Sequence, residues 1–195
     1  MSVESRLRGI RRVLAKDDVR ALSRRYFVAN GFDGTLTTIG VVVGAYLSGI
    51  TDGTIVIGIG LGAAVGLGTS GIWSVWEIER AETSRAKEHL EAAMLTSLDG
   101  TRLTRDLRNG QIVLALAAAS GPVLAILVML SPFLFVGVVY EMFTAVLVSI
   151  AIGILLLATV GAYMGLISRQ RWYVAAVRMG LAGIVVAIIS IVLPG

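Results

Sequence analysis

Residues 53–76 read GTIVIGIGLGAAVGLGTSGIWSVW, twenty-four residues without a charge between Asp52 and Glu77. A helix crosses the hydrocarbon core of a bilayer with about 20 mostly apolar residues, so this stretch is long enough to span. Four further uncharged stretches flank it. Eighteen residues separate Asp33 from Asp52, thirty-two separate Arg108 from Glu141, and twenty-seven separate Glu141 from Arg169. The last seventeen residues, after Arg178, carry no charge. Ser131-Pro132 interrupts the thirty-two-residue gap. The arithmetic predicts an all-α integral membrane protein with five transmembrane helices, at about 32–50, 54–76, 110–130, 134–167 and 173–193. The fourth is longer than a span requires, which points to tilt or a start in the interface.

Composition agrees. Of 195 residues 56% are hydrophobic and 15% charged, with a mean hydropathy of +0.84. A water-soluble domain has about 45–50% apolar and about 25% charged residues. A domain this small cannot bury the excess. A soluble enzyme, a free nucleic-acid module and a disordered chain are therefore excluded, and no nucleic-acid partner is expected. Cysteine is absent, which removes disulfides, thiolate metal sites and sulfur nucleophiles. Phosphate loops, nucleophile elbows and Cys/His zinc clusters are missing too, so no enzyme is expected.

Orientation follows from the basic residues. Eight precede the first span: Arg6, Arg8, Arg11, Arg12, Lys16, Arg20, Arg24 and Arg25. Six lie between spans two and three: Arg80, Arg85, Lys87, Arg102, Arg105 and Arg108. Arg169 and Arg171 precede span five, while the turns at Asp52 and Ser131-Pro132 have none. Sixteen of the seventeen thus fall on one side, which predicts a cytoplasmic N-terminus and an external C-terminus. The first 25 residues hold no long apolar run and do not read as a cleavable signal. The lack of a targeting segment favours a prokaryotic plasma membrane over a vacuolar-type one.

Two polar regions complete the domain plan. Residues 1–30 form a basic cytoplasmic segment in which Val3, Leu7, Ile10 and Leu14 recur at helical spacing. That pattern suits an amphipathic helix on anionic lipid headgroups, and equally a basic tail that only sets topology. Residues 31–195 form the membrane domain, with a cytoplasmic acidic helical insert at 77–109. No Gly, Pro or Asn occurs from Glu77 to Leu98, so the second span is expected to continue as a helix into the cytoplasm. Asp99-Gly100 would end it, and Thr101 would cap a short helix to about Arg108, before Asn109-Gly110. Gly121-Pro122 is expected to kink the third span.

The insert holds the chemistry-bearing side chains Glu77, Glu79, Glu82, Glu88, His89 and Glu91. At about 100° per residue Glu79, Glu82 and His89 share one face, and Glu77, Glu88 and Glu91 the opposite one. Glu79/Glu82 and Glu88/Glu91 are neighbours at i,i+3. Carboxylates with one imidazole suit Fe²⁺, Mn²⁺ or another divalent ion; a solvated helix whose glutamates pair with Arg80, Arg85 and Lys87 has the same composition. Charges inside spans are functional candidates by default. Asp33 opens span one, as a ligand at the mouth of an ion path, a proton acceptor, or the ion-pair partner of Arg178. Glu141, about a third of the way into span four, is a proton or ion-path candidate or an interfacial residue. Gly58, Gly62, Gly66 and Ser70, with Gly40, Gly44 and Ser48, make small-residue stripes suited to close helix packing or dimerisation.

Taken together, these features resemble the vacuolar iron transporter-like family, in a divergent prokaryotic branch. The resemblance covers about residues 25–195. It rests on five spans with a cytoplasmic N-terminus, on Asp33-Gly34-Thr35-Leu36-Thr37-Thr38 opening span one, and on a Gly-rich second span running into Glu77-Ile78-Glu79-Arg80-Ala81-Glu82. It implies a homodimeric antiporter that moves Fe²⁺ or Mn²⁺ out of the cytosol in exchange for protons, with no prosthetic group. It also implies that Asp33 matches the first-span carboxylate of the metal pathway, and that Glu79 to Glu91 form the cytoplasmic metal-collecting region. The family's span-two carboxylate has no counterpart, since Gly71-Ile72-Trp73 stands there. The alternative function is a non-transporting membrane scaffold or lipid-binding protein of the same fold.

Overall fold

The computed structural model describes residues 13–139 and 141–192. It contains five long α-helices: α1 (Asp17–Leu47), α2 (Gly53–Met94), α3 (Arg102–Leu130), α4 (Met142–Ile167) and α5 (Trp172–Val192). A short 3₁₀ turn, Ser131–Phe135, follows α3. Each α-helix is long and apolar enough to cross a membrane. Val3, Leu7 and Ile10 lie outside the described residues.

Helix ends have local causes. Asp17 and Asp18 stand in the first turn of α1, where carboxylates complement the helix dipole. The helix starts at Asp17 and runs unbroken to Leu47. At its other end Gly49 has φ +78° and Ile50 N–H reaches back to the Ala45 carbonyl at 3.1 Å; that left-handed turn closes the helix. Asp52 then caps α2, its carboxylate accepting from Thr54 N–H at 2.8 Å and from the Thr54 hydroxyl at 2.8 Å. These bonds hold the Asp52 carboxyl below its ordinary pKa.

Three boundaries differ from expectation. Helix α2 stops at Met94 instead of Leu98: Leu95 adopts φ +51°, Thr96 N–H bonds the Glu91 carbonyl at 3.3 Å, and the Glu91 side chain takes the Leu98 N–H at 2.7 Å. Thr101 does cap the next helix, accepting from Thr104 N–H at 3.4 Å. That helix does not end near Arg108, however. It passes through Asn109-Gly110 and continues to Leu130, with Gly110 buried. Helix α4 begins at Met142 rather than near 134, because Ser131-Pro132 opens a 3₁₀ turn and Gly137 at φ +84° turns the chain again.

The chain divides into two compact units, residues 1–27 with 68–120 and residues 28–67 with 121–195. In the first, Val75, Leu114 and Ala118 form a small core packed by Val19, Leu22 and Tyr26. Gly71 lies close to α3, since a methyl there would meet the Ala118 carbonyl oxygen at 3.1 Å.

In the second unit the core joins Val42, Val56, Ile126, Leu130, Phe133 and Val146, with Ile39, Val43, Met129 and Ala187 as a further cluster. One close approach is between α1 and α3. A methyl on Gly34 would sit 2.6 Å from Pro122 Cα and 2.7 Å from its Cβ, and one on Gly31 would meet the Gly121 backbone at 3.5 Å. Helices α4 and α5 also approach closely, where Gly161 faces the Ala175 carbonyl and Gly165 faces Trp172. Buried hydroxyls are satisfied within the same unit. Thr35 and Thr38 donate to the Gly31 and Gly34 carbonyls at 2.8 and 2.7 Å, and Ser149 donates to Met129 at 2.7 Å.

Gly34→Ala forces a methyl into the Pro122 backbone and should destabilise the fold by about 1–3 kcal/mol, as overpacking does. Gly44→Ala on the same helix meets nothing within 4 Å and should be neutral, or stabilising by up to about 1 kcal/mol from helix propensity. Thermal melting in detergent compares them. Equal melting of Gly34→Ala and the parent would show that the contact is not tight.

Candidate functional site

The buried face of α2 runs Gly53, Val56, Gly60, Ala64, Gly68, Gly71 and Val75, at steps of three and four. It continues beyond the apolar stretch as Glu79, Thr83, Lys87 and Glu91, each half-buried. The acidic candidates are therefore not equivalent. Glu79 accepts a hydrogen bond from the Tyr26 hydroxyl at 2.8 Å, and its backbone carbonyl accepts from Gln111 Nε2 at 3.4 Å. Burial, helped by that bond to Glu79, pushes the Tyr26 phenol up to about 12.

Glu91 is used locally. Besides the Leu98 N–H it pairs with Lys87 at 3.5 Å, and Lys87 also bonds Asp99. The Asp99 contact raises the Lys87 pKa and lowers that of Asp99. Glu91 thus closes the α2–α3 turn. Glu77 pairs with Arg80 at 3.8 Å. Glu82, Glu88 and His89 are exposed. Among the described residues, no three His, Asp or Glu side chains come together as a metal-binding group. Of the Glu79, Glu82 and His89 face, Glu79 is turned toward Tyr26, and Glu82 and His89 are exposed.

Asp33 is exposed on α1 and lines a groove of about 500 Å³ with Val28, Ala29 and Phe32 of α1 and Arg178, Met179 and Ala182 of α5. The expected Asp33–Arg178 ion pair is not formed: the two line one groove, yet no contact within 4.0 Å joins them among the described ion pairs. Glu141 precedes α4 as its N-cap, in extended conformation (φ −76°, ψ 158°) and without a side-chain capping bond. It is exposed. It is thus not a third of the way into a helix, since the chain becomes helical only at Met142.

The Tyr26–Glu79 contact joins residues fifty-three apart that local spacing does not pair. Its signal was present: Val19, Leu22 and Tyr26 follow helical spacing, and Glu79 stands four residues after Val75. The basic residues around Tyr26 masked it.

The chain is similar to an uncharacterized protein of Methanocaldococcus jannaschii, 28% identical over 172 residues that cover 85% of each chain. No protein-family profile matches it.

The Tyr26 phenol gives a pH signature. A folded pKa raised above the ordinary 10 means that folding favours the neutral phenol. Its contribution is complete below pH 10 and is lost as pH rises toward 12. Absorbance titration of phenolate should therefore show one late phase near 12, absent in Tyr26→Phe. That variant should also lose about 1 kcal/mol of stability, since Glu79 keeps its position without its donor. A Tyr26→Phe titration identical to the parent's would remove the pairing.

Proposed function

We propose that the five helices insert as spans of the cell membrane, with the N-terminus and the 95–101 turn in the cytoplasm and the C-terminus outside. The protein forms a homodimer and moves Fe²⁺ or Mn²⁺ out of the cytosol in exchange for protons. Asp33 carries this reading. It is an exposed carboxylate beside eighteen uncharged residues, it has no ion-pair partner among the described residues, and its neighbour Gly34 is locked against α3. A carboxylate kept unpaired next to an apolar span is free to take a cation. Exposed Glu82, Glu88 and His89 raise the local cation concentration at the mouth of that path. One helix supplies too few of them for a closed site, and a second copy adds the rest.

The dimer reading is supported by α2. Gly58, Gly62 and Gly66 meet nothing within 4 Å inside the chain, although such stripes pack helices closely. The alternative, a non-transporting scaffold or lipid-binding protein, is favoured by the dispersal of the acidic side chains along α2.

Reconstituted vesicles with an imposed pH gradient should accumulate Mn²⁺ when they carry the parent chain. Asp33→Asn should insert and dimerise normally yet bring flux to background. Unimpaired flux in Asp33→Asn would remove Asp33 from the path, and background flux in the parent would leave the scaffold reading. Gly62→Leu with Gly66→Leu should convert the dimer to monomer by mass measurement in native-like lipid. A monomeric parent there would defeat the assembly.

A further inference from the structure

The groove between α1 and α5 pairs opposite charges with an apolar lining. Asp33 stands on one wall and Arg178 on the other, with Val28, Phe32, Met179 and Ala182 between them. Neither charge is met by an ion-pair partner among the described residues. Each is exposed, so the groove presents an acceptor for a cation and a fork of donors for an anion, both unused. Two exposed, opposite charges beside an apolar lining can be met together by a third molecule that carries both complementary charges.

The position along α5 indicates what that molecule is. Trp172 and Tyr173 open the helix, both exposed, in edge-on contact with ring centroids 6.0 Å apart. Exposed aromatic pairs of this kind mark the headgroup level of a bilayer. Arg178 follows Trp172 by six residues, about 9 Å along the axis. An arginine at that depth extends its guanidinium toward lipid phosphate. Leu181 and Val185, exposed on the same side of α5 as Arg178, continue the row into the apolar part of the helix.

We infer that this groove binds a phospholipid with a phosphoethanolamine headgroup, its phosphate on Arg178 and its ammonium on Asp33. The inference rests on membrane insertion but not on metal transport. Guanidinium meets phosphate through two parallel N–H bonds. The primary ammonium donates N–H bonds to the carboxylate, which a quaternary choline nitrogen cannot do. A phosphoglycerol head has no cation and leaves Asp33 unmatched. The groove holds the headgroup, and the acyl chains lie along Leu181 and Val185.

The test uses the full chain in detergent without metal. Lipids with identical acyl chains and phosphoethanolamine, phosphocholine or phosphoglycerol heads are titrated in, and bound lipid is counted by native mass spectrometry. Flotation with vesicles checks insertion, and circular dichroism checks the fold of each variant. The parent should retain the phosphoethanolamine lipid about tenfold better than either other, as one charge-assisted hydrogen bond implies. Asp33→Asn should abolish the preference over phosphocholine. Arg178→Gln should weaken all three, and Arg178→Lys, which keeps the charge without the fork, should fall between. A chain that floats but retains the three lipids equally overturns the lipid site alone, as does a preference that survives in Asp33→Asn. A chain that does not float overturns insertion, and the site with it.

Discussion

The contact of Gly31 and Gly34 with Gly121 and Pro122 fixes the register on which the second unit depends. Lipid tails are as apolar as leucine, so helices in a membrane gain little by hiding apolar surface from one another. They associate where small residues let backbones come close. At Gly34 even one methyl would overlap the Pro122 backbone. That closeness sets the rotation of α1, and with it the exposure of Asp33 and the burial of Thr35, Thr38 and Ile39. Pro122 serves as a packing surface in a helix that remains continuous from Arg102 to Leu130.

Polar groups sort by whether the helices satisfy them. Thr35, Thr38 and Ser149 are buried and donate to backbone carbonyls, which removes the penalty of an unpaired hydroxyl in an apolar interior. Asp33 and Arg178 have no such local solution and stand exposed in one groove. A carboxylate offered to the surroundings invites a cation, whether a metal ion or a lipid ammonium. If both proposals hold, the two ligands compete for the same oxygens.

Helix α2 shows how one sequence serves two faces. Its inward row of Gly60, Ala64, Gly68 and Gly71 is buried, while Gly58, Gly62, Gly66 and Ser70 form an exposed row. Beyond the apolar stretch the inward row becomes Glu79 and Glu91. There the carboxylates hold structure: one ties α2 to Tyr26 on α1, and the other closes the turn into α3. Exposed Glu82, Glu88 and His89 keep their side chains available to ions in solution.

Five long apolar helices are legible in the residue order alone, because uncharged runs of this length have few other stable forms when every backbone group must bond internally. The turn at Asp52, the break at Ser131-Pro132 and the Thr101 cap are legible there too, each set by residues within one turn of the chain. Which small residues pack and which stay open depends on contacts between helices. Both rows of small residues on α2 recur at helical steps of three or four, and neighbours alone tell them apart. Tertiary contacts likewise separated Glu79 from Glu82 and His89, since Tyr26 lies fifty-three residues from Glu79 in the chain. Asp33 and Arg178 met in one groove but did not pair, an outcome set by the rotation of two helices that no local pattern encodes.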